Sequence, residues 1–169
     1  MGPDIGRRLT AEFVGTAMLI FFGAGTAVAT GELLPTALAH GLTVMVVAYA
    51  FGGVSGGHIN PMVTTVLTLT GRFPRAERPA YVGAQLLGGI VGAFTILASH
   101  GAGAVAQGLG STELAPGVGW GGGLAAEALG AFILVLAIHA LAVDVRAPDS
   151  IAGSASPWRC WRRSSPSAR

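Results

Sequence analysis

Asn60 and Pro61 stand side by side, preceded by Gly56, Gly57, His58 and Ile59 and followed by Met62. No residue in this string is a ready nucleophile, but together they suit a neutral solute that hydrogen-bonds. Asn60 is a good helix N-cap and Pro61 fits the first helical position, so the pair predicts a helix that begins there. A helix N-terminus carries about half a positive charge. Aimed into a narrow passage, it disfavours cations and protons. An asparagine can cap with its oxygen and still offer its NH₂ to a passing oxygen atom. The chemistry on offer is passage rather than bond-breaking. Ser55, His58 and Asp4 have the residue types of a hydrolase triad, yet no nucleophile-elbow sequence surrounds the serine. No cofactor is expected. The single cysteine, Cys160, forms neither an intrachain disulfide nor a zinc site alone.

Two carboxyls lie inside apolar runs, at Glu12 and Glu127. Such groups are costly in lipid and are expected to face a bundle interior. Their surroundings repeat: Ala11-Glu12-Phe13-Val14-Gly15 matches Ala126-Glu127-Ala128-Leu129-Gly130 in the pattern AExxG, 115 residues apart. His40 lies in the second apolar run, where an imidazole needs either a partner between helices or water. Val44, one turn on, is either pore wall or packing. Gln85 is either buried polar glue or near the passage. His100 and His139 are expected to be interfacial or packed rather than ligands. Trp120 suits an interfacial aromatic belt.

The elements that must position these residues are apolar helices. Hydrophobic residues make up 51% of the 169, and charged residues only 11%, far below the roughly 25% of a soluble domain. That balance excludes a disordered chain. All ten basic residues are arginine and the net charge is only +2, so the basic balance does not indicate nucleic-acid binding. Spans are predicted at residues 9–29, 35–51, 80–99 and 120–143, each near the ~20 residues that cross a bilayer. Residues 60–70 make a helix of about 15 Å, half that thickness. This segment is expected to be a re-entrant half-helix starting near the midplane, which makes the loop at 52–59 a candidate pore lining. Gly88 and Gly92 form a GxxxG helix contact. Arg7, Arg8, Arg72, Arg75, Arg78 and Arg146 fall on one side, and the intervening loops at 30–34 and 101–119 carry no arginine. The N-terminus is therefore expected in the cytoplasm, with the first run a retained span rather than a signal peptide. The two AExxG units then begin on opposite sides, as in an inverted repeat.

With AEFVGT, AHGLTV, SGGHINPMVT and AEALG in place over roughly residues 5–153, the chain resembles the aquaporin, or major intrinsic protein, family. The resemblance implies an all-α membrane protein: an inverted-repeat bundle with two half-helices, each opening on Asn-Pro-Ala. It implies passive permeation of water or another small neutral solute, no enzymatic activity, a plasma-membrane location and a homotetramer. Asn60 and Pro61 take the motif position. Gly56, Gly57, His58 and Ile59 resemble the acceptor ladder of main-chain carbonyls, and His40 the outer narrowing. Glu12 and Glu127 match the glutamates that brace the half-helix loops, with His58 a partner for one of them. The imidazole in place of Trp and the short loop at 101–119 favour water over glycerol, with ammonia and peroxide as alternatives.

Met62 departs from the family's alanine; it is larger but flexible enough to fill an irregular gap. A counterpart of the Asn60 motif at the repeat offset falls beyond Arg169. The expected layout is a first repeat at 1–100, a loop at 101–119, an incomplete second repeat at 120–153 and a tail at 154–169. The tail holds four Arg, five Ser and no acid, and is expected to be a shifted reading frame. A lipid-binding basic tail is the alternative. A non-conducting remnant is the competing functional reading.

Overall fold

The structure, a computed structural model, describes residues 4–140. These form two compact units, one ending at Ser111 and the other beginning at Thr112. Among the described residues there are helices and no strands. Four helices are long and apolar enough to cross a membrane: α1 (Ile5–Thr30), α2 (Leu33–Ser55), α4 (Arg78–His100) and α6 (Trp120–Ile138). Two shorter α-helices, α3 (Pro61–Leu69) and α5 (Ala102–Ala106), and a 3-10 turn at Gly108–Gly110 complete the set among the described residues. Residues 141–153 of the incomplete second repeat and the tail at 154–169 lie outside the described residues.

Local chemistry sets the ends. Gly31 closes α1 at φ 64° and donates to the Ala27 carbonyl at 2.8 Å. Gly56 closes α2 at φ 97° and donates to Gly52 at 3.1 Å. Both use the left-handed region that glycine occupies without strain. Asn60 caps α3 through its side chain, with Pro61 in the first turn. With nine residues, α3 rises about 14 Å, too short to span.

α1 and α4 start at the same end of the first unit, since Arg8 pairs with Glu77 at 2.7 Å. α3 returns the chain to that end, where Phe73 stacks against Tyr81 with ring centroids 4.6 Å apart. α1 and α4 are in backbone contact: a Cβ on Gly88 would meet the Phe13 carbonyl, and one on Gly92 would stand 2.7 Å from the Ala17 oxygen. The GxxxG pair thus lets two main chains touch.

α1 is not uniform. Ile20–Ala24 form a π-helical turn, wider than the α-helix on either side. Thr26 donates to the Phe22 carbonyl inside this turn at 2.6 Å. Val28, Ile96 and Ala104 form a small core with Ile20, Phe21, Ala24 and Leu109 packed on it. The outward sides of α2 and α4 carry exposed Leu38, Leu42, Met45, Leu86, Ile90 and Phe94. In water such a continuous apolar face would be a liability. Against hydrocarbon it is the surface a span needs.

Candidate functional site

The centre of the first unit is a carboxyl group. Glu12 is fully buried, one-third of the way along α1. Its Oε1 accepts from the Ser55 hydroxyl at 2.6 Å and from the His58 main-chain N–H at 2.9 Å. Its Oε2 accepts from the Ile59 N–H at 2.7 Å and from the Gln85 side-chain NH₂ at 2.7 Å. Ser55 Oγ in turn accepts from the Gly57 N–H at 3.1 Å. Three consecutive main-chain N–H groups, at residues 57–59, are therefore satisfied by Glu12 directly or through Ser55. Successive N–H groups converging on an anion-type acceptor form a nest.

Holding the N–H groups this way dictates the backbone. Gly56, Gly57 and Ile59 have φ of 97°, 62° and 41°. The value at Ile59 is unusual for a β-branched residue and costs of the order of 1–3 kcal/mol. Gly15 makes the space: a Cβ there would stand 2.7 Å from Ile59 Cγ2. Main-chain hydrogen bonds among the described residues do not use the carbonyls of Gly56, Gly57 or Ile59. The N–H groups at 57–59 are committed to Glu12 and Ser55, and the Gly56, Gly57 and Ile59 carbonyls stay outside the main-chain bonding.

Asn60 accepts from the Met62 N–H at 2.8 Å through Oδ1. That contact fixes the amide orientation, because the oxygen must face the helix. The Asn60 NH₂ has no hydrogen-bond partner among the described residues. Thr64, one turn into α3, donates to the Asn60 carbonyl at 3.1 Å, accepts from Gln85 at 2.9 Å and meets His58 Nδ1 at 2.9 Å. Gln85 is thus polar glue between Glu12 and the half-helix, which decides the choice the sequence left open. His58 reaches Glu12 through its main chain, whereas its imidazole bonds Thr64.

A second layer lies beneath the loop and was not legible in the sequence. Tyr81 is fully buried, donates to the Ser55 carbonyl at 2.9 Å and accepts from Arg8 Nε at 2.9 Å. Its ring lies 5.2 Å from His58, and Phe73 lies 4.9 Å from His58. The Arg8 guanidinium sits over both Phe73 and Tyr81, at 5.8 and 5.2 Å. Replacing Tyr81 by Phe deletes one donor and orphans the Ser55 carbonyl. We expect Tyr81→Phe to lower stability by about 1–3 kcal/mol, read as an earlier thermal midpoint in detergent. An unshifted midpoint would remove Tyr81 from the loop's support.

The other candidates make none of the hydrogen bonds to Glu12. His40 is half-buried on α2, its Nδ1 2.9 Å from the Thr36 carbonyl. Val44 lies one turn on and is exposed at 38%. Met62 is half-buried at the start of α3. Glu127 lies on α6 in the second unit and is exposed. His100 and His139 bond carbonyls of their own helices. Among the described residues, no cluster of His, Cys, Asp or Glu could hold a metal.

Residues 3–155 match the family described as Major intrinsic protein. The chain belongs to the major intrinsic protein family. Among relatives of this family, the chain is 39% identical to a protein named probable aquaporin AqpM of Archaeoglobus fulgidus, over 90% of this chain and 72% of that protein. It is 38% identical to aquaporin AqpM of Methanothermobacter marburgensis, over 87% and 70%. It is 42% identical to glycerol uptake facilitator protein-like 6 of Lactiplantibacillus plantarum, over 78% and 62%. As a major intrinsic protein with four apolar spanning helices, the chain is a multi-pass membrane protein.

Proposed function

We propose that this chain forms a passive channel through which water crosses the membrane. One observation carries the reading: Glu12 gathers the N–H groups of the loop, while the Gly56, Gly57 and Ile59 carbonyls and the Asn60 NH₂ remain for a solute. A line of acceptors leading to one donor orients a water molecule at Asn60, with its oxygen towards the NH₂. An oriented water interrupts a chain of like-directed hydrogen bonds, so protons do not follow. The α3 N-terminus adds a positive potential at the same point. Relatives named aquaporin and glycerol uptake facilitator support a small neutral solute. The imidazole of His40, in a second span without Trp, favours water over glycerol.

In this reading Gly56, Gly57, His58, Ile59, Asn60, Pro61 and Met62 line the passage. His40 narrows its outer mouth and Val44 adds apolar wall. Glu127 braces a counterpart loop. The arginine distribution supports a cytoplasmic N-terminus, and membership of the major intrinsic protein family supports a plasma-membrane homotetramer. The 169-residue chain reconstituted in proteoliposomes is expected to shrink faster than protein-free vesicles under an osmotic step, and to pass glycerol more slowly than water. Shrinkage at the lipid rate would overturn the reading in favour of a non-conducting chain.

Asn60→Asp separates capping from solute contact. An aspartate retains the cap oxygen but loses the NH₂ and opposes the positive end of α3. We expect the variant to fold, with cations entering vesicles faster than in the parent. Asn60→Ala loses the cap as well, at a cost of about 1 kcal/mol. Equal cation leak in Asn60→Asp and parent vesicles would deny the amide its role.

A further inference from the structure

Gly23 lies in the π-helical turn of α1 and is buried. The atoms closest to the place where its Cβ would stand are all in the His40 ring. A Cβ would meet Nε2 and would lie 2.5 Å from Cδ2 and 2.6 Å from Cε1. No side chain of any size can occupy position 23 while that ring keeps its place. The ring's other edge is fixed as well. Thr36 presents a carbonyl oxygen to His40 Nδ1 at 2.9 Å, and a carbonyl only accepts, so Nδ1 carries the proton. The imidazole is held between a carbonyl of its own helix and the bare backbone of Gly23. A π-helical turn is an infrequent feature and marks functional places more often than chance.

We propose that Gly23 is a positioning residue for His40 and so sets the width of the passage at that level. This rests on the reading that His40 narrows a water pore. With Gly23, the ring is drawn back onto α1. With a side chain at 23, the ring must turn away from α1, into the space a solute uses. Gly23 therefore determines which neutral solutes fit without touching any of them. Thr36 and Gly23 act as a pair, one fixing the proton and the other the plane of the ring.

Two measurements on the full chain test this and separate it from the channel reading. In detergent, diethyl pyrocarbonate labelling of His40 is followed by peptide mass spectrometry, with His100 as the internal control. Gly23→Ala is expected to raise labelling at His40 several-fold and leave His100 unchanged. In proteoliposomes, Gly23→Ala is expected to cut water flux several-fold, and to have no effect when His40 is already alanine. A change that only loosened helix packing would lower flux equally in both backgrounds. Unchanged labelling, or equal flux loss in both backgrounds, would overturn the inference. If Gly23→Ala fails to fold, Gly23→Ala/His40→Ala is expected to fold, because the collision is with the ring. Failure of the double variant as well would overturn the inference. If the parent chain and every variant conduct nothing but labelling responds as expected, the channel reading fails and the Gly23 seat for His40 stands.

Discussion

Replacing Glu12 by alanine is expected to abolish the folded loop. Four donors converge on this carboxyl: the Ser55 hydroxyl, the His58 and Ile59 N–H groups and the Gln85 amide. Alanine removes the acceptor of the Ser55 hydroxyl and of the His58 and Ile59 N–H groups, all buried, and leaves the Gln85 amide with Thr64 Oγ1 alone. Each unsatisfied buried group costs about 1–3 kcal/mol, so the total rivals the net stability of a whole domain. Glu12→Gln is a finer probe. If its NH₂ replaces Oε1, Ser55 can turn its hydroxyl to accept, but the His58 N–H is stranded. If it replaces Oε2, Gln85 can flip, but the Ile59 N–H is stranded. Either orientation leaves one main-chain donor unpaired, at about 1–3 kcal/mol. We expect Glu12→Ala to yield little folded protein, and Glu12→Gln to fold with an earlier thermal midpoint and lower water flux per molecule. A wild-type midpoint and flux in Glu12→Ala would show that the loop is held by something else.

Parts of this centre could be read from sequence because the rules that produce them are local. An asparagine followed by proline caps and starts a helix wherever it occurs, and α3 does begin at Pro61 with Asn60 accepting from Met62. A carboxyl in an apolar run must find donors, and Glu12 has four. The apolar runs marked the spans, but α2 extends to Ser55 beyond the run ending at 51, because glycines at 52 and 53 read as a break and remain helical. Gly56, at positive φ, is where the helix stops.

What escaped the sequence is what long separations decide. Arg8 and Tyr81 are 73 residues apart, as are Glu12 and Gln85, and no periodicity connects them. His58 divides its bonds between its main-chain N–H, which goes to Glu12, and its ring, which goes to Thr64. The positive φ of Ile59 runs against a β-branched residue's preference and follows from the same commitment. The π-helical turn has no hydropathy signature, since the helix on both sides is equally apolar. Only the close approach of His40 to Gly23 gives that turn a consequence.

Gly88→Val is expected to have the second-largest effect, and to act on the loop from a distance. Gly88 lies against the main chain of α1: the first atom a Cβ would meet is the Phe13 carbonyl oxygen, and the Phe13 Cα would be 3.2 Å away. A backbone cannot swing aside as a side-chain tip can, so α1 and α4 must part by the better part of an ångström or more. Phe13 follows Glu12 directly, and Gly88 lies one turn from Gln85. The displacement falls where Glu12 and Gln85 meet at 2.7 Å, a bond with little slack. Overpacking of this kind costs about 1–3 kcal/mol where side chains can shift, and more where backbone must move. Every 1.4 kcal/mol is a factor of ten in an equilibrium. Gly88→Val is therefore expected to reduce folded yield at least about tenfold, with Gly88→Ala milder but measurable. Gly89 makes the control: its Cβ would find only Ile20 Cγ1, at 3.9 Å. Gly89→Ala should leave yield and thermal midpoint unchanged. If the two alanine variants behave alike, the crossing does not set the loop, and the bond between Glu12 and Gln85 is held by the loop rather than the reverse.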